Sequence, residues 1–220
     1  MSIATNLLNI KSQLPEHVTL VAVSKTKPVA DLMEAYNAGQ RIFGENKIQE
    51  MTEKWQQMPK DIEWHMIGHV QSNKVKYMIP YVKLIHGVDS LKLLKEINRL
   101  AVKWRKKVDC LLQIHIAEED TKFGLDEKEL NELLTSEEFK TFENIRVVGL
   151  MGMATFTENQ EQIKREFHYL KSIFDQLQKL PTTNNLQPKT LSMGMSGDYQ
   201  LAIECGSTMV RIGSSIFGTR

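Results

Sequence analysis

Short runs of apolar and β-branched residues recur along the whole chain, separated by stretches whose apolar residues fall at helical spacing. The runs predict strands at 19–25 (TLVAVSK), 41–46 (RIFGEN), 63–68 (EWHMIG), 83–89 (KLIHGVD), 109–116 (DCLLQIHI), 146–153 (RVVGLMGM), 190–195 (TLSMGM) and 209–218 (MVRIGSSIFG). Between them PVADLMEAYNAG starts a helix at Pro28 and stops it at Gly39, while SLKLLKEINRLAVKW opens on Ser90 as a cap. Further helical patterns cover 47–57, 73–79, 126–134 and 160–179, and the last interval offers only DYQLAIECG. Ile3, Leu7, Leu8 and Ile10 lie at roughly helical spacing, which adds a helix that plugs or flanks whatever follows. PTTNNLQP (181–188) reads as a surface connection ahead of the seventh strand.

Alternation of strand and helix implies a parallel sheet. Eight evenly spaced strands without a long interruption favour an α/β fold closed as a (β/α)8 TIM-type barrel with an extra N-terminal helix; an open doubly wound sheet is the alternative. The 220 residues suit one domain spanning 1–220.

Composition narrows the partner. Lys and Arg number 28 against 27 Asp and Glu, a net charge of +1, so no global field points to nucleic acid or an anionic membrane. No apolar run approaches the roughly 18 residues that a membrane span needs, and the first residues lack signal-peptide organisation. Cys110 and Cys205 sit in apolar stretches without metal-type spacing, which fits a reducing cytoplasm. A small molecule is the expected partner.

In a barrel the residues closing each strand build the site. Lys25 shares a face with Val21 and Val23 and can project into the mouth, where desolvation would leave more free amine to condense with an aldehyde. Lys25 and Lys27 also read as a solvated pair ahead of a helix, and periodicity does not choose between the two. SMGMSG and RIGSS place glycine and serine after the last two strands, where barrels often hold phosphate; Ser196 and Ser214 would add hydroxyl donors. Such residues are also ordinary turn formers. Arg211 should face the interior, there to pair with a carboxylate such as Glu45 or to donate to the ring nitrogen of a bound pyridine. Gln113 and His115 share a face with Leu111 and are candidate interior polar residues, with a hydrogen-bonded core histidine as the simpler account. His65 and His69 straddle a strand end, so no metal site is expected.

Taken together, AVSKTKP, FGEN, WHMIGHVQSNK, GVDS and LSMGMSGDYQLAIECGSTMVRIGSSIFG resemble the pyridoxal phosphate homeostasis proteins, in order, from about Leu20 to Phe217. The resemblance implies a barrel like the N-terminal domain of alanine racemase, with pyridoxal 5′-phosphate carried as an internal aldimine on the first lysine of SKTKP, Lys25 rather than Lys27. It further implies Asn46 beside the cofactor, Ser196, Gly213 and Ser214 on its phosphate, and Arg211 at the pyridine nitrogen. Two stretches depart from the family pattern. IHIAEEDTKFGL carries Ala117 and Phe123 where the pattern has a glycine or serine and a smaller or polar residue, and MGMATF replaces a proline-containing loop. Both bear on the pocket rim.

The resemblance implies a non-catalytic carrier in vitamin B6 homeostasis, whose partners are the cofactor and the apoenzymes that need it, with a monomer expected. The rival is an amino-acid racemase, which needs acid–base groups on both faces of its substrate. Lys25 could serve one face. Tyr199 and His69 are the nearest candidates for the other, and each reads more simply as a packing or capping residue; the 220 residues are spent on the barrel, so no second domain is expected to supply one.

Overall fold

In the computed structural model, which describes residues 2–118 and 123–219, eight parallel strands close in sequence order into a barrel. They are β1 (Thr19–Val23), β2 (Ile42–Glu45), β3 (Glu63–Met66), β4 (Val82–Val88), β5 (Val108–Gln113), β6 (Ile145–Met151), β7 (Leu186–Met195) and β8 (Met209–Ile212). Pairing of β1 with β8, Val21 against Arg211 and Ala22 against Ile212, completes the ring and excludes the open sheet. The helices are α1 (Ile3–Gln13), α2 (Val29–Asn37), α3 (Ile48–Gln57), α4 (Val75–Met78), α5 (Leu91–Lys103), α6 (Glu127–Thr135), α7 (Glu137–Lys140), α8 (Gln160–Gln178), α9 (Tyr199–Glu204) and α10 (Ser214–Phe217).

The local signals act as expected at several ends. Ser90 caps α5 by accepting the Leu93 amide, and Gly39 at φ 91 ends the turn after α2. At α6, Asp126 and Glu129 form a reciprocal capping box. Apolar faces of these helices pack on the outside of the barrel around Phe43, Trp64 and Phe167. The interior holds a smaller apolar group, Val21, Leu84, Leu111, Val148, Met151 and Met209.

Two boundaries move. The eighth strand stops at Ile212 instead of running to Gly218, because Gly213 turns the chain and Ser214–Phe217 winds as α10. Ile216 and Phe217 are buried all the same, since α10 packs against α1 and Asn6 donates to the Ile216 carbonyl at 3.1 Å. An apolar run of that length does not distinguish a strand from a short buried helix. The seventh strand starts at Leu186, inside the expected loop, after a turn in which the Thr183 amide donates to the Leu186 carbonyl. Helix α1 flanks the barrel instead of plugging it, resting on α2 and α10 with Leu7 and Ile10 buried.

Gly149 shows how tightly the ring is drawn. At φ 154, a Cβ here would lie 1.7 Å from the Thr190 carbonyl oxygen, so only glycine lets β6 and β7 approach where their register shifts.

Candidate functional site

The C-terminal ends of the strands open into a cavity of about 800 Å3. Lys25, Asn46, Ser196, Arg211, Gly213 and Ser214, the six residues singled out above, all line it. Lys27 also reaches the wall, but its Nζ donates to the carbonyls of Phe217 (3.0 Å) and Thr219 (3.2 Å), so its ammonium ties down the C-terminal segment. Gly68 permits the crowding on the β2 side, since a Cβ there would lie 2.5 Å from the Asn46 carbonyl oxygen.

Lys25 is half-buried just past β1, between the buried Ser24 and the exposed Thr26, which has the left-handed φ of 64. Ser24 Oγ donates to Glu45 Oε1 at 2.6 Å, and Lys54 Nζ donates to the same oxygen at 2.7 Å. Burial pushes the Glu45 carboxyl up, while Lys54 and Ser24 pull it back. Glu45 is therefore engaged with Lys54 and does not pair with Arg211, as one reading of the sequence had it.

Arg211, 3% exposed, points inward and has no carboxylate in salt-bridge contact among the described residues. Its NH1 donates to the Ser192 carbonyl (2.9 Å) and to Ser192 Oγ (2.6 Å), and its NH2 donates to the Gly152 carbonyl (3.0 Å). Burial brings the guanidinium down to about 10, against a weaker opposing pull from Asp198, so it stays charged at neutral pH.

The polar chain continues inward. Ser192 Oγ accepts from Arg211, which directs its own proton to His86 Nδ1, 3.1 Å away. His86 then carries its proton on Nε2 and donates to His65 Nδ1 at 3.0 Å. Burial holds His65 at about 3 and His86 well below its ordinary value, so both imidazoles are neutral and every member of the chain has a partner.

Opposite Lys25, Ser196 and Gly197 follow β7, and Gly213, Ser214 and Ser215 follow β8. The Gly213 amide donates to Ser196 Oγ at 3.2 Å, which draws the two loops together. The opening amides of a helix have no acceptor within the helix itself, so the first turn of α10 is a donor surface at the cavity wall.

The chain matches the alanine racemase, N-terminal domain, family over residues 1–220. It is 40% identical to the pyridoxal phosphate homeostasis protein of Aquifex aeolicus (strain VF5) over 91% of this chain and 86% of that one. It is 39% identical to the protein of the same name from Pasteurella multocida (strain Pm70), covering 100% of this chain and 98% of the relative. The chain belongs to the pyridoxal phosphate homeostasis protein family. PipY of Synechococcus elongatus PCC7942, a structure with PLP bound, superposes with a TM-score of 0.88 at 34% identity, covering 99% of this chain and 100% of that one.

Parts of the two stretches set apart in the sequence contribute to the rim. Phe123 lines the mouth and stacks on His69 with ring centroids 4.3 Å apart, and Met153, Ala154, Thr155 and Phe156 of the MGMATF loop form the facing edge. Residues 119–122 of the IHIAEEDTKFGL loop lie outside the described residues. Ala117 is buried and does not line the cavity.

Other sequence candidates separate. Gln113 reaches the cavity and donates to the Phe123 carbonyl at 2.8 Å, whereas His115 lies beyond the end of β5, where alternation no longer applies, and is not part of the wall. His69 pairs with Asp89 at 3.3 Å on the rim and His65 is in the interior chain, so the two do not converge. Tyr199 donates to Gln13 at 3.0 Å, on the α1 side and away from the cavity. Sequence reasoning passed over His86, Ser192 and the Lys54 cluster. His86 and Ser192 sit within apolar strand runs, and Lys54 lies on a charged helix where a solvated lysine is the ordinary expectation.

Proposed function

We propose that this chain holds pyridoxal 5′-phosphate at the barrel mouth and serves as a non-catalytic carrier in vitamin B6 homeostasis. The observation that carries this reading is Arg211. A buried cation that among the described residues meets only neutral acceptors, at the wall of a cavity that also presents a lysine, is arranged for a ligand and not for an internal ion pair.

The donor set fits the three handles of that cofactor. When bound, the group supplies an aldehyde that a lysine amine can capture reversibly with loss of water. Lys25 makes that attachment from the end of β1. Arg211 would donate to the ring nitrogen, Ser196, Gly213 and Ser214 would hold the phosphate through hydroxyl and amide donors, and Asn46 would lie beside the ring; all five line the cavity. Residues 1–220 act as one cofactor-binding unit. The PipY structure with PLP bound and the names of the curated relatives support the choice of ligand.

The same Arg211 argues against transaminase and decarboxylase chemistry. A guanidinium that stays protonated leaves the ring nitrogen without a proton, which weakens the ring as an electron sink. A racemase finds little support for its second acid–base group in the two candidates: Tyr199 faces α1, and His69 lines the cavity only at its rim, 44% exposed and paired with Asp89. We assign the protein to the cytoplasm as a monomer that passes cofactor to apoenzymes; the free thiols of Cys110 and Cys205 support a reducing compartment, and no helix among the described residues is long and apolar enough to cross a membrane.

The test is the absorbance spectrum with and without added pyridoxal phosphate, followed by borohydride reduction and peptide mapping. The expected result is a reducible band whose adduct maps to Lys25 and is lost in Lys25→Ala. Absence of a band at excess cofactor would sink the reading. Interconversion of L- and D-alanine by the loaded protein would overturn its non-catalytic part.

A further inference from the structure

Both residues that flank Lys25 are fastened to one charge cluster. Lys54 reaches from α3 beneath the end of β1, and its Nζ donates to three oxygens: Glu45 Oε1 (2.7 Å), Glu50 Oε1 (2.7 Å) and the Ser24 carbonyl (2.8 Å). Ser24 Oγ returns a bond to Glu45 Oε1, and the Thr26 amide donates to Glu50 Oε1 at 2.6 Å. Thr26 needs that anchor, because a β-branched residue at φ 64 is held against its own conformational preference.

Stability alone does not account for the cluster. Taking Glu45 and Lys54 out of water costs more than their attraction commonly returns, and well-packed apolar pairs often replace such ions without loss. Glu45 Oε2 is moreover buried with no hydrogen-bond partner among the described residues. What the three side chains do fix is the backbone immediately before and after Lys25, and so the direction in which its amine leaves the strand.

We infer that Glu45, Glu50 and Lys54 are positioning residues that aim the Lys25 amine at the aldehyde carbon of the bound cofactor, an inference that rests on Lys25 being the attachment point. They lie on β2 and α3, whereas the phosphate contacts and the Arg211 ring contact come from β7, β8 and the turns after them; Asn46, next to Glu45, is unchanged in both variants described below. Covalent capture and non-covalent retention are therefore separable by mutation.

Pyridoxine 5′-phosphate carries an alcohol in place of the aldehyde, so it reports ring and phosphate contacts without attachment. In Glu50→Gln and in the paired replacement Glu45→Leu with Lys54→Met, its affinity stays within about twofold of the parent, as expected for independent sites. Borohydride trapping of pyridoxal phosphate slows by about tenfold or more, as misaimed groups do. The paired replacement removes both buried charges at once and leaves Glu50, whose side chain is 24% exposed, with the Thr26 amide and solvent, and Glu50→Gln keeps the side-chain shape, so both variants are expected to fold. Adding Thr26→Asn to Glu50→Gln restores part of the trapping rate, because asparagine tolerates the left-handed region. Equal loss of both ligands would reduce the cluster to a structural role, and unchanged trapping would refute the proposal. Loss of the adduct in Lys25→Ala with normal trapping in the cluster variants would refute the positioning role alone. Retention of the adduct in Lys25→Ala would instead refute the attachment assignment beneath it.

Discussion

Arg211 donates to Ser192 Oγ at 2.6 Å, the shortest of its three bonds. That hydroxyl also supplies the proton that His86 Nδ1 needs, so Ser192 satisfies two buried groups at once. Ser192→Ala leaves the His86 nitrogen without a donor and Arg211 with carbonyl acceptors only. The expected cost is about 1–3 kcal/mol of folding stability, read as a lower urea midpoint, together with weaker cofactor retention. An unchanged midpoint would show that the His86 nitrogen finds another donor.

Stability should fall in mild acid. His65 binds its proton near 6.5 when unfolded but only at about 3 in the native barrel, because burial disfavours the imidazolium. Below 6.5 the unfolded chain therefore takes up more protons, so this stabilisation is present above 6.5 and is lost as pH falls toward 3, by an amount of the order of a few kcal/mol. His86 shifts in the same direction, while Glu45, raised by burial, works the other way. His65→Gln keeps an acceptor for His86 Nε2–H and removes one titration, so its urea midpoint should change less between pH 6.5 and 5 than that of the parent. Identical slopes would remove His65 as the cause.

Much of the barrel was legible in the sequence because each strand is bounded by helix signals that agree with it, such as Pro28, Gly39 and Ser90. The α10 segment was misread because Ile216 and Phe217 are apolar for the sake of packing on α1, a partner more than 200 positions away in sequence. Among the site residues, those at strand ends stood out by position, and their gathering into one cavity follows from closure of the ring. The residues that orient them were hidden. Nothing in KLIHGVD shows that His86 meets a histidine from β3 and a serine from β7, and nothing in the charged face of α3 marks Lys54 as the lysine that turns inward.

Lys27 gives a sharp contrast with its neighbour. Its bonds to the Phe217 and Thr219 carbonyls hold the segment that follows the glycine- and serine-rich turn. Lys27→Ala should therefore retain a borohydride-stable adduct on Lys25, lose about 1 kcal/mol of stability, and exchange amide hydrogens faster around residues 217–219. Loss of the adduct with intact folding would transfer the attachment role from Lys25 to Lys27.

Arg211→Gln tests the ring contact most directly. Glutamine can donate to one of the two carbonyls that Arg211 now engages, but it has neither the charge nor the planar fork that bonds Ser192 and Gly152 together. Loss of a charge-assisted bond worth about 1.5–3 kcal/mol should weaken pyridoxal phosphate binding by roughly tenfold to a hundredfold. Pyridoxine 5′-phosphate should weaken by the same factor, because it presents the same ring nitrogen, whereas inorganic phosphate should bind as in the parent. Arg211→Lys should recover little, since a point charge does not reproduce the fork. If instead both cofactor forms bind the glutamine variant as tightly as the parent, Arg211 serves only to join β8 to Ser192 and Gly152, and the electronic argument against transaminase and decarboxylase chemistry falls with it.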